Sequence, residues 1–104
     1  MKNANKLNEL KAQKNVLVEL VDKMYEERKE IYKHIRVFDD EKWEMQQQVI
    51  LEDPCAYDEI VSACSNLRGQ RKIIESTISN IEDMITLIEK EMLQVMKNLV
   101  EEMK

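Results

Sequence analysis

The stretch Leu51-Glu52-Asp53-Pro54-Cys55 lies at the middle of the 104-residue chain and contains its only proline. Proline has no backbone N–H and its ring clashes with the preceding helical turn, so a helix does not continue through it. The first position of a new helix, in contrast, suits proline. The side chain of Asp53 can accept a hydrogen bond from a free N–H group of that helix. The sequence therefore predicts that one helix ends here and a second begins.

The connection between the two helices is predicted to be short, because neither glycine nor serine lies near Pro54 to form a long loop. We expect a helix over about residues 5–52, a turn at 53–54 and a second helix over about 55–102. The chain is then a single all-α domain, residues 1–104, folded as an antiparallel coiled-coil hairpin.

Composition supports long helices and limits the function classes. The chain has one glycine, one proline and 36% charged residues, which is typical of coiled coils. Its net charge of -5 argues against a general nucleic-acid binder, which needs a basic face. The first 15 residues lack the apolar core of a signal peptide, and no apolar run reaches the roughly 20 residues of a membrane span. We expect a cytoplasmic protein that does not insert into membranes.

A heptad seam runs through the first half without a skip. Its residues are Leu7, Leu10, Lys14, Leu17, Val21, Met24, Arg28, Ile31, Ile35, Phe38, Lys42, Met45 and Val49. The three basic exceptions, Lys14, Arg28 and Lys42, recur every 14 residues, a regularity that suggests control of register. We expect Glu91 and Glu82 of the second helix to be the counter-ions of Lys14 and Arg28.

The second half contains a seam with the same heptad spacing. Its residues are Tyr57, Ile60, Cys64, Leu67, Arg71, Ile74, Ile78, Ile81, Ile85, Ile88, Met92, Val95 and Leu99. Arg71 is the one charged residue of this seam. Isoleucine in both seam rows favours assemblies of more than two strands.

Apolar residues outside the seam predict self-association. The first half carries Val18, Tyr25 and Tyr32 beside its seam, and the second carries Met84, Leu87, Leu93, Met96, Val100 and Met103. A lone hairpin of two long helices has a thin core, so we expect two hairpins to pair as a homodimeric four-helix bundle. The alternative is a break near Asp39, where Asp39 and Asp40 cap a fresh helix and give a three-helix bundle.

Aromatic residues near the predicted turn are candidate contacts with a partner protein. Trp43 and Tyr57 lie on either side of the turn, and interface hot spots favour such residues. The alternative is that Trp43 caps the core or packs in the dimer. The seven methionines fill gaps in a core or, at Met92, Met96 and Met103, form an adaptable client surface like that of a chaperone.

Two resemblances to enzyme families give an alternative function. Glu26-Glu27-Arg28-Lys29-Glu30 resembles, in its Glu-Glu-x-x-Glu spacing, the all-α nucleotide pyrophosphohydrolases, which implies magnesium binding; the downstream Glu-x-x-Asp of that family is absent. Lys11, Arg28 and Glu52 resemble active-site positions of the all-α chorismate mutases, whose next catalytic lysine falls at Asp39. A dimeric all-α enzyme would bring Lys11, Arg28 and Glu52 together in one enclosed cavity.

The leading hypothesis is a non-enzymatic interaction module: a coiled-coil adaptor, scaffold or small helical chaperone that self-associates and binds a partner helix in a groove. No cofactor or metal is expected. The only histidine, His34, is not part of a metal-ligand pattern, and Cys55 and Cys64 are too far apart along one helix to form a disulfide. The partner is an unidentified protein.

Overall fold

The chain folds into two long helices that pack antiparallel as a hairpin. The computed structural model describes residues 2–48, 50 and 52–104. Helix α1 spans Lys2–Gln46 and helix α2 spans Pro54–Glu102. The predicted all-α hairpin is confirmed, while dimerisation stays a prediction. No helix among the described residues is long and apolar enough to cross a membrane.

Helix α1 continues through Asp39 and Asp40, so the three-helix alternative is wrong. The heptad pattern crosses these residues without a skip, and neither glycine nor proline interrupts it. The carboxylate of Asp39 does not cap a helix. It accepts hydrogen bonds from Arg68 and Cys64 of α2, which keeps this segment paired with the second helix.

The first helix ends six residues before the predicted boundary at residue 52, and the expected two-residue turn is a connection over residues 47–53. The N–H of Gln47 donates to the carbonyl of Glu44 (3.2 Å) and that of Gln48 to the carbonyl of Met45 (3.1 Å). Such bonds between residues three apart tighten and terminate a helix, an end that proline spacing alone does not predict. The seam position Val49, like Leu51, lies outside the described residues.

Helix α2 begins as predicted. The side-chain Oδ1 of Asp53 accepts a hydrogen bond from the N–H of Ala56 (3.1 Å), and its carbonyl accepts one from the N–H of Tyr57 (3.3 Å). Asp53 is therefore the N-cap and Pro54 the first helical residue, where its missing N–H leaves no bond unmade.

The predicted seam is the core of the hairpin. Every seam residue of the described chain is buried or half-buried. In heptad letters these are positions a and d; positions e and b lie on one side of the seam, g and c on the other, and f faces outward.

The hairpin consists of two compact units. Unit 1 comprises residues 1–24 and 77–104, and unit 2 comprises residues 25–76, so each unit contains a segment of both helices. The buried residues of unit 1 are Leu10, Val21, Ile78, Ile81 and Val95, and those of unit 2 are Ile35 and Cys64. Unit 1 therefore has the better-buried seam.

Candidate interaction surfaces

A polar contact between Asp39 and α2 links the two helices of unit 2. The guanidinium of Arg68 donates to both carboxylate oxygens of Asp39 (2.9 and 2.8 Å), and the thiol of Cys64 donates to its Oδ1 (3.2 Å). Hydrogen bonding by the Cys64 thiol, together with the charge of Arg68, lowers the pKa of Asp39 below its ordinary value. Burial, reinforced by the neighbouring carboxylate, raises the pKa of Cys64. Asp39 is thus held ionised and Cys64 protonated.

A second contact lies one heptad away along each helix. The hydroxyl of Tyr32 donates to the Oε1 of Glu75 (2.8 Å), and the guanidinium of Arg71 lies 5.5 Å from the centre of the Tyr32 ring. The Nε of Arg71 lies 4.0 Å from the same carboxylate oxygen and has no hydrogen-bond partner in the described part of the chain. Asp39, Tyr32, Arg68 and Glu75 all occupy position e, so the e rows of the two helices face each other within unit 2.

The seam cations of unit 2 place their charged groups on this same side. The guanidinium of Arg28 lies 4.8 Å from the centre of the Tyr25 ring, at position e, and Arg71 lies over Tyr32. Lys42 lines a concavity together with e and b residues of α2. All three are half-buried. Their aliphatic stems therefore belong to the seam, while their charges belong to the e/b side.

That concavity has a volume of about 450 Å³, and its charged lining residues are all basic. It is lined by Lys42, Val61, Cys64, Ser65, Arg68, Gly69 and Lys72. Lys72 is exposed, and Gly69 leaves open space where another residue would place a side chain.

Unit 1 has instead an apolar groove. One part of the groove, about 340 Å³, is lined by Gln13, Val16, Leu17, Met84 and Ile88, and an adjoining part of about 390 Å³ adds Leu87 and Glu91. Val16 and Leu87 are both more than 60% exposed. We call this surface the apolar groove.

A second apolar surface of unit 1 lies on the other side of the α2 seam, at positions b and e. Leu93, Met96 and Val100 line a concavity of about 300 Å³. Met103, at the next e position, is 86% exposed. We call these four residues the methionine patch.

The structure places most of the predicted contact residues on the surface. Exposed are Val18, Tyr25, Tyr32, Trp43, Met84, Met96, Val100 and Met103. Tyr57 is half-buried, and its hydroxyl accepts a hydrogen bond from the side-chain amide of Gln46 (2.9 Å). Sequence reasoning missed the Asp39–Arg68 pair, although the e positions of an antiparallel hairpin face each other and pairing them by register would have found it.

Lys14, the seam cation of unit 1, is half-buried and borders a concavity with Met92, Leu93 and Met96. No ion pair joins it to Glu91, so the predicted counter-ion is not in contact. The pairing of Arg28 with Glu82 stays a prediction.

The three residues of the enzyme alternative line none of the concavities described above. Lys11 and Glu52 are exposed, and the backbone N–H of Glu52 donates to the side chain of Gln48 (3.3 Å). Among the described residues, no group of three or more His, Cys, Asp or Glu side chains is arranged to hold a metal ion. Both cysteines are free thiols.

Comparison of the chain with protein-family models, with curated proteins and with solved structures finds no match.

Proposed function

We propose that the protein is a non-enzymatic interaction module, a coiled-coil adaptor, scaffold or small helical chaperone that self-associates through the apolar groove of unit 1. The partner helix of the adaptor or chaperone function then binds at a different surface. The observation that carries this proposal is the amount of aliphatic surface that unit 1 leaves in water. Nine large apolar side chains are exposed there: Val16, Val18, Leu20, Met84, Leu87, Leu93, Met96, Val100 and Met103.

Exposed apolar side chains in one contiguous groove favour a protein contact. Single exposed apolar residues are ordinary, but patches of several hundred square ångströms on a monomer mark binding surfaces. The apolar groove combines residues of both helices, since Val16 and Leu17 come from α1 and Met84 and Ile88 from α2. A helix of a second copy placed in the groove would bury side chains from α1 and α2 at once, as in the helix-in-groove mode of recognition.

The total surface area supports a partner of substantial size. The chain exposes 7985 Å², whereas a folded monomer of its mass typically exposes about 6100 Å². A standard protein interface buries about 800 Å² on each partner. The surplus is larger than that, so a second copy can be accommodated while other surface is left for a further partner.

The test is the solution mass of the chain, measured by light scattering over a range of concentrations under reducing conditions. We expect a dimer, and we expect the double variant Met84→Glu/Leu87→Glu to be monomeric because it places two carboxylates in the groove. The matched control is Lys90→Glu, an exposed residue at the outward position f of the same helix, which changes the net charge by the same amount.

The control variant should remain dimeric. A wild-type chain that stays monomeric up to about millimolar concentration, or a groove variant that still dimerises, would overturn self-association through this surface. Circular dichroism of each variant separates loss of dimerisation from loss of the helical fold.

A further inference from the structure

The charges of unit 2 are segregated between the two sides of its seam. Seven of its eight basic residues lie on the e/b side, either by heptad position or by the contacts of the seam cations: Arg28, Lys29, Arg36, Lys42, Arg68, Arg71 and Lys72. Only three acidic residues share that side: Asp39, Asp58 and Glu75. This side, which we call the basic flank, has a formal charge of +4, although unit 2 as a whole is acidic.

The opposite g/c side has the reverse character. Its charged residues are all acidic: Glu27, Glu30, Glu41, Glu44 and Glu59. Because the chain as a whole carries -5, the basic flank is a local exception and not a consequence of composition. A partner that docks by charge is therefore directed to one side of unit 2.

Aromatic side chains are concentrated on the basic flank. Tyr25, Tyr32 and Trp43 are 37%, 45% and 61% exposed, and the aliphatic Val61 beside them is 38% exposed. All four occupy e or b positions. Trp43 is the most exposed of the four, so most of its ring is accessible to a partner. Tyrosine, tryptophan and arginine are the residues that dominate protein interfaces.

The spacing of these groups matches a helix. Lys29, Arg36 and Trp43 follow one another at intervals of seven residues, which is about 10.5 Å along a helix axis. No ion pair occupies Lys29, Arg36 or Lys72 in the described part of the chain. A second helix with a carboxylate in each heptad would place those carboxylates at the same interval.

We propose that the basic flank of unit 2 binds an acidic amphipathic helix of a partner protein, which lies along the hairpin as a third helix. Its carboxylates face Lys29, Arg36, Lys42 and Lys72, and its apolar row covers Trp43 and Val61. The proposal deepens the interaction-module function by naming a partner class. It concerns a different surface from the apolar groove, so that either proposal can fail alone.

A polynucleotide fits this flank less well. Duplex DNA presents a phosphate charge about every 1.7 Å, whereas the basic flank offers separated cations interrupted by Asp39, Asp58 and Glu75. The guanidinium of Arg68 is already bound to a carboxylate at 2.8 Å, and that of Arg71 lies against Tyr32. The mixture of separated cations with apolar surface is complementary to an amphipathic acidic helix.

The probe is a fluorescein-labelled peptide of about three heptads, with leucine at a and d and glutamate at e and g. A second peptide has lysine in place of every glutamate. Because Trp43 is the only tryptophan of the chain and the peptides contain none, its emission reports docking on the flank directly. We expect the acidic peptide to bind at least about tenfold more tightly than the lysine peptide, to shift the Trp43 emission to shorter wavelength and to weaken as salt is added.

The decisive variant is Arg36→Glu/Lys72→Glu, which reverses two charges that take part in no described ion pair. Its control is Lys33→Glu/Lys90→Glu, with the same net charge but both changes at outward f positions. This control breaks the exposed pair of Lys33 with Glu30 (3.2 Å), which contributes little to stability because solvent screens it. We expect the acidic peptide to bind the flank variant at least about tenfold more weakly and the control within about twofold of wild type.

Four outcomes of the binding measurements would overturn the proposal: equal binding of the two peptides, equal binding by the flank and control variants, binding without a change in Trp43 emission, or tighter binding of single-stranded poly-U RNA than of the acidic peptide. A change in solution mass for the flank variant would also overturn it, since the occupant would then be the acidic side of a second copy. Acidic-peptide binding by the monomeric Met84→Glu/Leu87→Glu variant would support the flank even if self-association is disproved.

Discussion

Unit 1 and unit 2 share one heptad seam, but different contacts hold the two helices together in each. In unit 1 the seam itself is well buried, with Ile78, Ile81 and Val95 each at most 6% exposed. In unit 2 only Ile35 and Cys64 are buried to that degree, and hydrogen bonds between e positions join the helices beside the seam. One heptad repeat is therefore stabilised mainly by apolar burial in unit 1 and also by polar contacts at its edge in unit 2.

The surfaces left in water differ in the same way. Unit 1 exposes aliphatic and methionine side chains on both sides of its seam. Unit 2 exposes fewer aliphatic side chains, with Val37 and Ile73 on its g/c side, and exposes aromatic side chains among cations on its e/b side. Burial of aliphatic surface is favourable and non-directional, whereas charged groups restrict which partners can bind. This difference is the physical basis for assigning self-association to unit 1 and an acidic helix to unit 2.

The largest expected effect tests whether burial of the seam stabilises unit 1 more than unit 2. Ile81→Ala should lower the free energy of unfolding by about 2–4 kcal/mol, because it removes a buried side chain and leaves a cavity in the seam of unit 1. Ile74→Ala, at a half-buried seam position of unit 2, should cost about half as much, since less apolar area is returned to water. Urea denaturation measures both.

The control for this pair is Lys90→Ala, at an exposed position, which should change the stability by less than about 0.5 kcal/mol. Equal losses for Ile81→Ala and Ile74→Ala would contradict the claim that unit 1 depends more on burial.

The next largest effect tests whether the polar contact between Asp39 and Arg68 stabilises unit 2. Asp39→Asn should lower the stability by about 1 kcal/mol, a value kept small because the ion pair with Arg68 is partly exposed and screened by solvent. A double-mutant cycle with Arg68→Gln isolates the pair from the other effects of each substitution. A coupling energy of zero would mean that this contact aligns the helices without stabilising them.

The pH dependence of the same carboxylate gives an independent check. The thiol of Cys64 and the charge of Arg68 lower the pKa of Asp39 in the folded chain. Its stabilisation is therefore complete above the unfolded value of about 3.9 and is lost as the pH falls through the lowered pKa. Wild type should lose stability over this acidic range more steeply than Asp39→Asn, as followed by urea midpoints from neutral pH downward. Parallel curves would exclude a contribution from Asp39.

Much of the hairpin could be predicted because its determinants are local. Pro54 and Asp53 mark the start of α2 by their own chemistry, and the three-four spacing identifies the seam from residue types alone. The end of α1 at Gln46 could not be placed in this way. Residues 47–52 contain neither glycine nor proline, so helix propensity alone does not predict that α1 ends there.

The surfaces could be predicted only in part, for a related reason. Val18, Met84 and Met96 are identified as exposed candidates from heptad position. The side chain of Arg28 lies over the Tyr25 ring of its own helix, and that of Arg71 lies over the Tyr32 ring of the opposite helix. Heptad position alone does not predict these directions. The segregation of charge on unit 2 becomes visible only when the e rows are paired, which requires the antiparallel register.

The smallest expected effect is a gain in stability, and it tests whether the two units respond separately. Gly69 lies within α2 at an outward position, no atom beyond its chain neighbours and the local helix backbone lies within 4 Å of the site of an added Cβ, and its φ is not positive. Gly69→Ala should therefore stabilise the chain by about 0.5–1 kcal/mol by restricting the unfolded state, and Ser62→Ala, at the same heptad position, should stabilise it less.

Hydrogen exchange followed by mass spectrometry shows in which unit the Gly69→Ala variant gains protection. If unit 2 opens independently, protection rises in residues 25–76 and is unchanged in the peptides of unit 1. An equal rise in both would mean that the seam unfolds as one cooperative element, and the difference between the units would then concern their surfaces and not their stability.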